Sequence, residues 1–283
     1  SVHQRIAITG ASGLIGTALV GHLKAEGHTV QRLVRRTPVG ADEVQWDPQT
    51  GFVDLEPLRG VDAVIHLAGV GVGDKRWSKK YKSEILNSRL LGTTAIAKAV
   101  AELKPQVFIS ASAIGWYGES GNRAVVENDR VGDDFLAAVC REWEAAADLA
   151  QDVRTVKIRT GLVLDPTGGA LGKMLPLFRL GLGGKLGNGK QWWSWITLHD
   201  QIRAIVFALE NPISGPVNLT GPNPVTNQEF TAALARAMHR PALFPAPAIA
   251  LKIALGGFSS EILGSKKVIP HVLLEAGITW DYP

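Results

Sequence analysis

Glycines three residues apart after an apolar run mark a place where the backbone can meet a phosphate. The stretch Thr9-Gly10-Ala11-Ser12-Gly13-Leu14-Ile15-Gly16 follows Ile6-Ala7-Ile8. It opens a segment whose apolar residues Leu14, Ile15, Ala18, Leu19 and Leu23 recur at helical spacing. Strand, glycine turn and helix together make a diphosphate site. Gly10 lets the chain turn sharply, Gly13 lets backbone N–H groups approach the phosphates, and Gly16 lets the helix pack close to the strand. The helix N-terminus adds partial positive charge. The alternative is a tight turn without a ligand.

A second set of residues carries hydroxyls. Val107-Phe108-Ile109 reads as a buried strand ending in Ser110-Ala111-Ser112, with Tyr117 five residues on. A serine at a strand's carboxyl end with a tyrosine close behind can polarise a carbonyl or hydroxyl near a nicotinamide. Equally, the two serines can do no more than satisfy backbone groups. His66, inside the apolar stretch Asp62-Ala63-Val64-Ile65-His66-Leu67-Ala68-Gly69, reads as a core residue in preference to a titrating one.

A third signal is cationic. Arg35-Arg36 ends the predicted strand 28–34, and Arg35 lies 19 residues after Gly16, with no acidic residue between it and Asp42. An acidic residue about 20 positions beyond the glycine loop holds the ribose 2′-hydroxyl of NAD, whereas arginine accommodates the 2′-phosphate of NADP. The pair therefore favours NADP(H), against a reading as plain surface charge.

The elements that must position these groups alternate along the chain. Strands are predicted at 6–8, 28–34, 43–46, 62–69, 107–112 and 154–164, with helices after 14, over 77–103 and over 135–150. The expected fold is α/β, a Rossmann-type doubly wound parallel sheet. Beyond Pro166 the character changes: a glycine-punctuated apolar stretch, then Gln191-Trp192-Trp193-Ser194-Trp195-Ile196, dense in aromatics that could line a substrate pocket. Thr226-Asn227-Gln228-Glu229 is a capping box. The expectation is a cofactor domain over 1–165. A smaller C-terminal substrate region over 166–283 interleaves with the last strand of the sheet.

Composition narrows the class. Of 283 residues 46% are hydrophobic and 20% charged, and the formal charge of +4 is scattered, which gives no support to nucleic-acid binding. No apolar run reaches the ~18 residues needed to span a bilayer, and the first residues lack a signal-peptide layout. Cys140 is the only cysteine, so no intramolecular disulfide or thiolate metal cluster is expected, and a reducing, cytoplasmic setting fits.

With the glycine loop, Leu67-Ala68-Gly69, Ser110-Ala111-Ser112 and Trp195-Ile196 in view, the chain resembles the extended short-chain dehydrogenase/reductases. Ser88-Arg89-Leu90, Trp143-Glu144-Ala145-Ala146, Arg159 to Leu164 and Gly168 to Pro176 resemble one branch of that family. It is the "epimerase family" of NADP-dependent oxidoreductases, sometimes filed as cell-division inhibitors. The resemblance implies that Ser12 to Ile15 meet the diphosphate and that Arg35, helped by Arg36, meets the 2′-phosphate. It places Leu67 and Ala68 beside the adenosine ribose and Val163 near the nicotinamide. Glu84 and Arg89 become cofactor contacts, Ser112 the catalytic serine, and a homodimer through a helix bundle follows the relatives. One departure stands out. The family's chemistry rests on a Tyr-x-x-x-Lys pair, and the corresponding helix, Phe135 to Glu144, has neither residue. The proton must come from elsewhere, with Tyr117, Ser112, or a water held by Glu119 or His66 as candidates. The leading expectation is an NADP(H)-dependent oxidoreductase acting on a small carbonyl or hydroxyl compound. The alternatives are a non-catalytic NADP(H)-binding sensor and a nucleotide-sugar-type epimerase.

Overall fold

The structure, a computed structural model, describes residues 2–69 and 71–283; of the loop expected over 69–74, Val70 lies outside the described residues. In chain order the first half contains β1 (Arg5–Thr9), α1 (Leu14–Ala25), β2 (Thr29–Val34), β3 (Glu43–Asp47), β4 (Phe52–Val53), β5 (Ala63–His66), α2 (Lys79–Leu103), β6 (Val107–Ala113), β7 (Ala124–Val125), α3 (Phe135–Ala147) and β8 (Arg154–Thr160). It continues through β9 (Leu162–Leu164), α4 (Gly169–Arg179), β10 (Trp192–Trp193), β11 (Trp195–Thr197), α5 (Leu198–Glu210), β12 (Gly215–Leu219), β13 (Val225–Thr226) and α6 (Asn227–Met238). Then follow α7 (Ala248–Leu255), α8 (Ser259–Leu263), β14 (Lys267–Val268) and α9 (His271–Ala276).

Eight strands form one sheet in the order β12-β8-β6-β5-β1-β2-β3-β4, parallel throughout except where β4 pairs antiparallel with β3. A doubly wound sheet needs apolar side chains on both faces, and period-2 alternation supplies them. Ile6, Ile8, Ile65 and Ile109 pack with Leu19 of α1, Ile205 of α5 and Leu273 of α9. Their sequence neighbours Ala7, Val64 and Phe108 pack on the opposite face with Ile96 and Val100 of α2 and Ala147 of α3.

Helix starts follow side-chain chemistry. Ser78, Asp134, Thr197 and Thr226 accept backbone N–H bonds at the N-termini of α2, α3, α5 and α6, and Thr226 with Glu229 closes the predicted capping box. No described helix is long and apolar enough to cross a membrane.

The sequence reading differs from the structure at one instructive point. The strand expected to run through Thr160 to Leu164 stops at Thr160: the Leu162 N–H turns to the Ser194 carbonyl at 2.8 Å, an approach so close that a Cβ at Gly161 would lie 2.6 Å from that oxygen. Beyond that close approach the chain leaves the main sheet, and β9 pairs in parallel with β11. The next helix, α5, returns the chain to the main sheet at β12, beside β8. The aromatic stretch is thereby stitched to the carboxyl edge of the sheet.

Candidate active site

β1 and β5 are neighbours, and the chain runs outward from them in opposite directions, so their carboxyl ends form the switch point where such sheets bind ligands. Two glycines make this crevice possible. Gly10 sits at φ +68°, and a Cβ there would lie 2.8 Å from the Leu67 carbonyl carbon; a Cβ at Gly16 would lie 2.0 Å from the Gly10 oxygen. A Cβ at Gly13 would come no nearer than 3.6 Å to its neighbours, so its small size serves the cleft, not the packing. Gly13 caps α1 without a side-chain hydrogen bond, and the first turn holds no acidic residue. The N–H groups of that turn are left to an anion.

A buried hydrogen-bond chain ties the two strand ends together. Thr9 Oγ1 accepts from the backbone N–H of Leu67 (3.0 Å) and of Ala68 (3.2 Å). Its own proton therefore points to His66 Nδ1 at 2.7 Å, and His66 Nε2 donates to Thr93 Oγ1 at 3.0 Å. Burial pushes the His66 imidazole down to about 3, so the ring is neutral and structural, as expected from sequence.

Three cavities adjoin along the carboxyl edge. The outer one, about 660 Å³, is lined by Gly10 to Gly13, Leu67, Ala68, Trp46 and the arginines of β2's end. It shares Gly10, Gly13 and Leu67 with a second cavity of about 410 Å³, reached by Leu14, Ile15, Gly16, Ser112 and Val163. The second shares Gly161, Leu162 and Ala170 with a third of about 290 Å³ beneath the tryptophan segment.

Of the two predicted arginines, only Arg35 is free. It is exposed, lines the outer cavity and has no side-chain partner among the described residues. Arg36 instead forks the Glu43 carboxylate, with Nη1 at 2.8 Å, and Arg32 binds Asp42 at 2.9 Å. The Arg36 hydrogen bond holds the Glu43 carboxyl down at about 2. Arg36 thus occupies Glu43 as Arg32 occupies Asp42, a pairing that the sequence order hides.

At the second cavity Ser112 donates to Glu144 Oε2 at 2.6 Å, and Arg159 forks the same carboxylate at 2.9 and 3.0 Å. Arg159 Nη1 continues to the Tyr117 oxygen at 3.1 Å, and Tyr117 donates to Asn218 Oδ1 at 2.6 Å. Tyr117 is 3% exposed and lines none of the three cavities. Burial pushes its hydroxyl up to about 12. The structure places the Tyr117 hydroxyl, expected from sequence to move a substrate proton, in the core network around Arg159.

Glu84 is half-buried on α2 and lines none of the cavities. Arg89 is buried behind Gly69, at the rim of the outer cavity, and stacks 4.8 Å over Trp143. Its Nη1 donates to the Ile85 carbonyl at 3.3 Å, and no carboxylate accompanies it among the described residues. Sequence reasoning missed two further groups of the second cavity. Trp143 Nε1 and Gln201 Oε1 are a buried donor and a buried acceptor without a protein partner. Gln201 sits in the first turn of α5, and only the parallel pairing of β9 with β11 brings that turn to the cleft. Glu261 and Lys266 of the third cavity, 3.4 Å apart, were likewise not singled out.

Residues 6–220 match the model of the NAD dependent epimerase/dehydratase family, and residues 246–283 match a domain of unknown function, DUF1731. An epimerase family protein of Mycobacterium leprae is 46% identical over 281 residues, covering 98% of this chain and 92% of the relative. The human epimerase family protein SDR39U1 (isoform 2), crystallised with NADPH, is 34% identical with a TM-score of 0.91, covering 99% of this chain and 95% of that one. A nucleoside-diphosphate sugar epimerase from Corynebacterium glutamicum is 37% identical with a TM-score of 0.81, covering 99% of this chain and 56% of that one. The chain belongs to the NAD dependent epimerase/dehydratase family, within the epimerase-family branch of the extended short-chain dehydrogenase/reductases.

Proposed function

We propose that this protein is an NADP(H)-dependent oxidoreductase that transfers hydride between the nicotinamide and a small carbonyl or hydroxyl compound. The observation that carries the cofactor choice is Arg35: an exposed, unpaired guanidinium in the outer cavity, with the neighbouring carboxylates Asp42 and Glu43 already bound by Arg32 and Arg36. An adenosine 2′-phosphate supplies the missing anion, and no free carboxylate is left to hold a 2′-hydroxyl. The open first turn of α1, with Gly10, Ser12, Gly13, Leu14 and Ile15, suits the diphosphate. Leu67 and Ala68 line the ribose side, and the buried Arg89, with no carboxylate beside it among the described residues, adds positive potential behind Gly69.

Val163, Trp143 and Gln201 line the second cavity, which suits the nicotinamide end of the dinucleotide. Nicotinamide at this end would bring its reactive carbon toward the third cavity, through the lining shared at Gly161, Leu162 and Ala170. The bound dinucleotide supplies the hydride; the chain's residues orient it and exclude water. The NADPH in the human relative, 34% identical over nearly the whole chain, supports the same reading.

Titrating NADPH and NADH into the purified protein, followed by nicotinamide fluorescence, tests it. NADPH should bind more tightly, and Arg35→Ala should weaken NADPH far more than NADH. Tighter NADH binding, or an equal loss of both, overturns the 2′-phosphate role.

A further inference from the structure

Hydride transfer to a carbonyl leaves an oxygen that must take up a proton, and this helix lacks the family's Tyr-x-x-x-Lys source. The side chains of the described residues that could replace it are mostly spent. Ser112 gives its proton to Glu144, whose carboxylate is forked by Arg159. Tyr117 is bound in the core, and burial pushes the Cys140 thiol up to about 12. His66 is neutral between two threonines, and Glu119 is tied to the backbone N–H groups of Gly121 and Ser265. The second cavity has no acidic or basic side chain in its lining, and the third has two: Glu261 and Lys266.

This pair belongs to the C-terminal region, not to α3. Lys266 is 7% exposed, and its Nζ lies 3.4 Å from Glu261 Oε2 in a chamber whose walls include Trp192, Trp193, Phe258 and Ile262. The geometry points to Glu261 as the proton donor and acceptor of the reaction, with Lys266 orienting its carboxyl and balancing the carboxylate. The substrate is a small, largely apolar carbonyl compound seated on the tryptophans. This rests on the oxidoreductase reading above. A chamber of about 290 Å³ lies at the small end of ligand pockets.

The step balances. Hydride from dihydronicotinamide adds to the carbonyl carbon, the C=O π pair moves to oxygen, and the O–H bond of the Glu261 carboxyl breaks as its proton passes to that oxygen. The cofactor is oxidised and the carbonyl reduced to an alcohol. The Glu261 carboxylate beside Lys266 then takes a proton from water. Burial raises the Glu261 carboxyl above the ordinary range, opposed by the Lys266 ammonium and assisted by Asp134 and Glu119, the other charged groups facing it. A carboxyl so held keeps its proton where exposed carboxyls have lost theirs.

The test uses the full chain, NADPH, and a panel of benzaldehyde, 4-nitrobenzaldehyde and acetophenone. Glu261→Gln should bind NADPH with unchanged affinity yet oxidise it roughly 10²-fold more slowly, the usual scale for losing a general acid. The wild-type reduction rate should fall as pH rises through the Glu261 titration, and Lys266→Met should move that limit to higher pH. An infrared pH titration needs no substrate. The protonated-carboxyl band should persist above the ordinary carboxylate range in wild type and be absent from Glu261→Gln. Wild-type rates in Glu261→Gln, a pH limit unmoved by Lys266→Met, or a Glu261 band titrating in the ordinary range overturns the assignment. So does wild-type protein that binds NADPH but oxidises it with none of the panel. Failure of wild type to bind NADPH overturns the cofactor reading instead.

Discussion

The Ser112 hydroxyl donates to Glu144 Oε2 at 2.6 Å, and Arg159 forks both oxygens of that carboxylate where the second cavity meets the core. Arg159 is 2% exposed, so its charge depends on Glu144. Removing one partner of a buried pair strands the other. Glu144→Leu should therefore cost about 3–5 kcal/mol of unfolding free energy in urea. The double variant Glu144→Leu/Arg159→Met should cost less than the sum of the two single changes, because no charge is then left unpaired. Strict additivity would show that the two side chains do not stabilise one another.

Tyr117 makes a contrasting prediction. Its hydroxyl bridges Arg159 and Asn218 in the core and reaches none of the three cavities. Tyr117→Phe should lower stability by about 1–3 kcal/mol, the cost of leaving buried polar partners unsatisfied. NADPH affinity should stay as in wild type, and so should any NADPH-dependent turnover per folded molecule. A large loss of turnover without loss of stability would return Tyr117 to the chemistry.

Local rules made the sheet, the capped helices and the phosphate turn legible in the sequence, because glycine spacing, strand periodicity and N-caps act over a few residues. The positions of Ser112 at the end of β6 and Arg35 after β2 follow from the same local patterns. Three other features depend on contacts between distant segments. Arg36 follows Arg35 in sequence, and only the pairing of β2 with β3 brings Glu43 against it. Tyr117 looked close to the chemistry by chain distance, yet the parallel pairing of β8 with β12 places Asn218 beside its hydroxyl, 101 residues on. Gln201, Glu261 and Lys266 reach the cleft only because β9 and β11 pair outside the main sheet and the C-terminal region folds back over that edge. No pattern within a short window encodes those meetings.

His66 should leave a mark on the pH dependence of stability. Its folded-state value of about 3 lies below the ordinary 6.5, so below pH 6.5 the unfolded chain takes up a proton that the folded chain refuses. Stability should therefore fall as pH drops, by up to about 1.4 kcal/mol per pH unit from this group. Between pH 6.5 and 4.5 the effect is separate from that of Glu43, whose carboxyl begins to contribute only below its ordinary 4.5. His66→Gln should be less stable at neutral pH and show a flatter profile over that interval. Equal slopes for the two proteins would mean that the buried imidazole accepts its proton without cost.

The phosphate turn separates packing from binding within one motif. A Cβ at Gly16 would lie 2.0 Å from the Gly10 oxygen and 2.9 Å from the Ala11 Cα, both backbone atoms that cannot swing aside. Gly16→Ala should displace α1 from the end of β1, lowering the thermal midpoint sharply and abolishing NADPH binding with it. A Cβ at Gly13 would meet its nearest neighbour, the Gly10 oxygen, at 3.6 Å, an ordinary contact. Gly13→Ala should therefore fold with near-normal stability and still lose NADPH affinity, because the added methyl group occupies space where N–H groups of the first turn of α1 would face the diphosphate. Thermal melts and fluorescence titrations of the two variants check this directly. If Gly13→Ala binds NADPH as wild type does, the diphosphate does not lie against this residue.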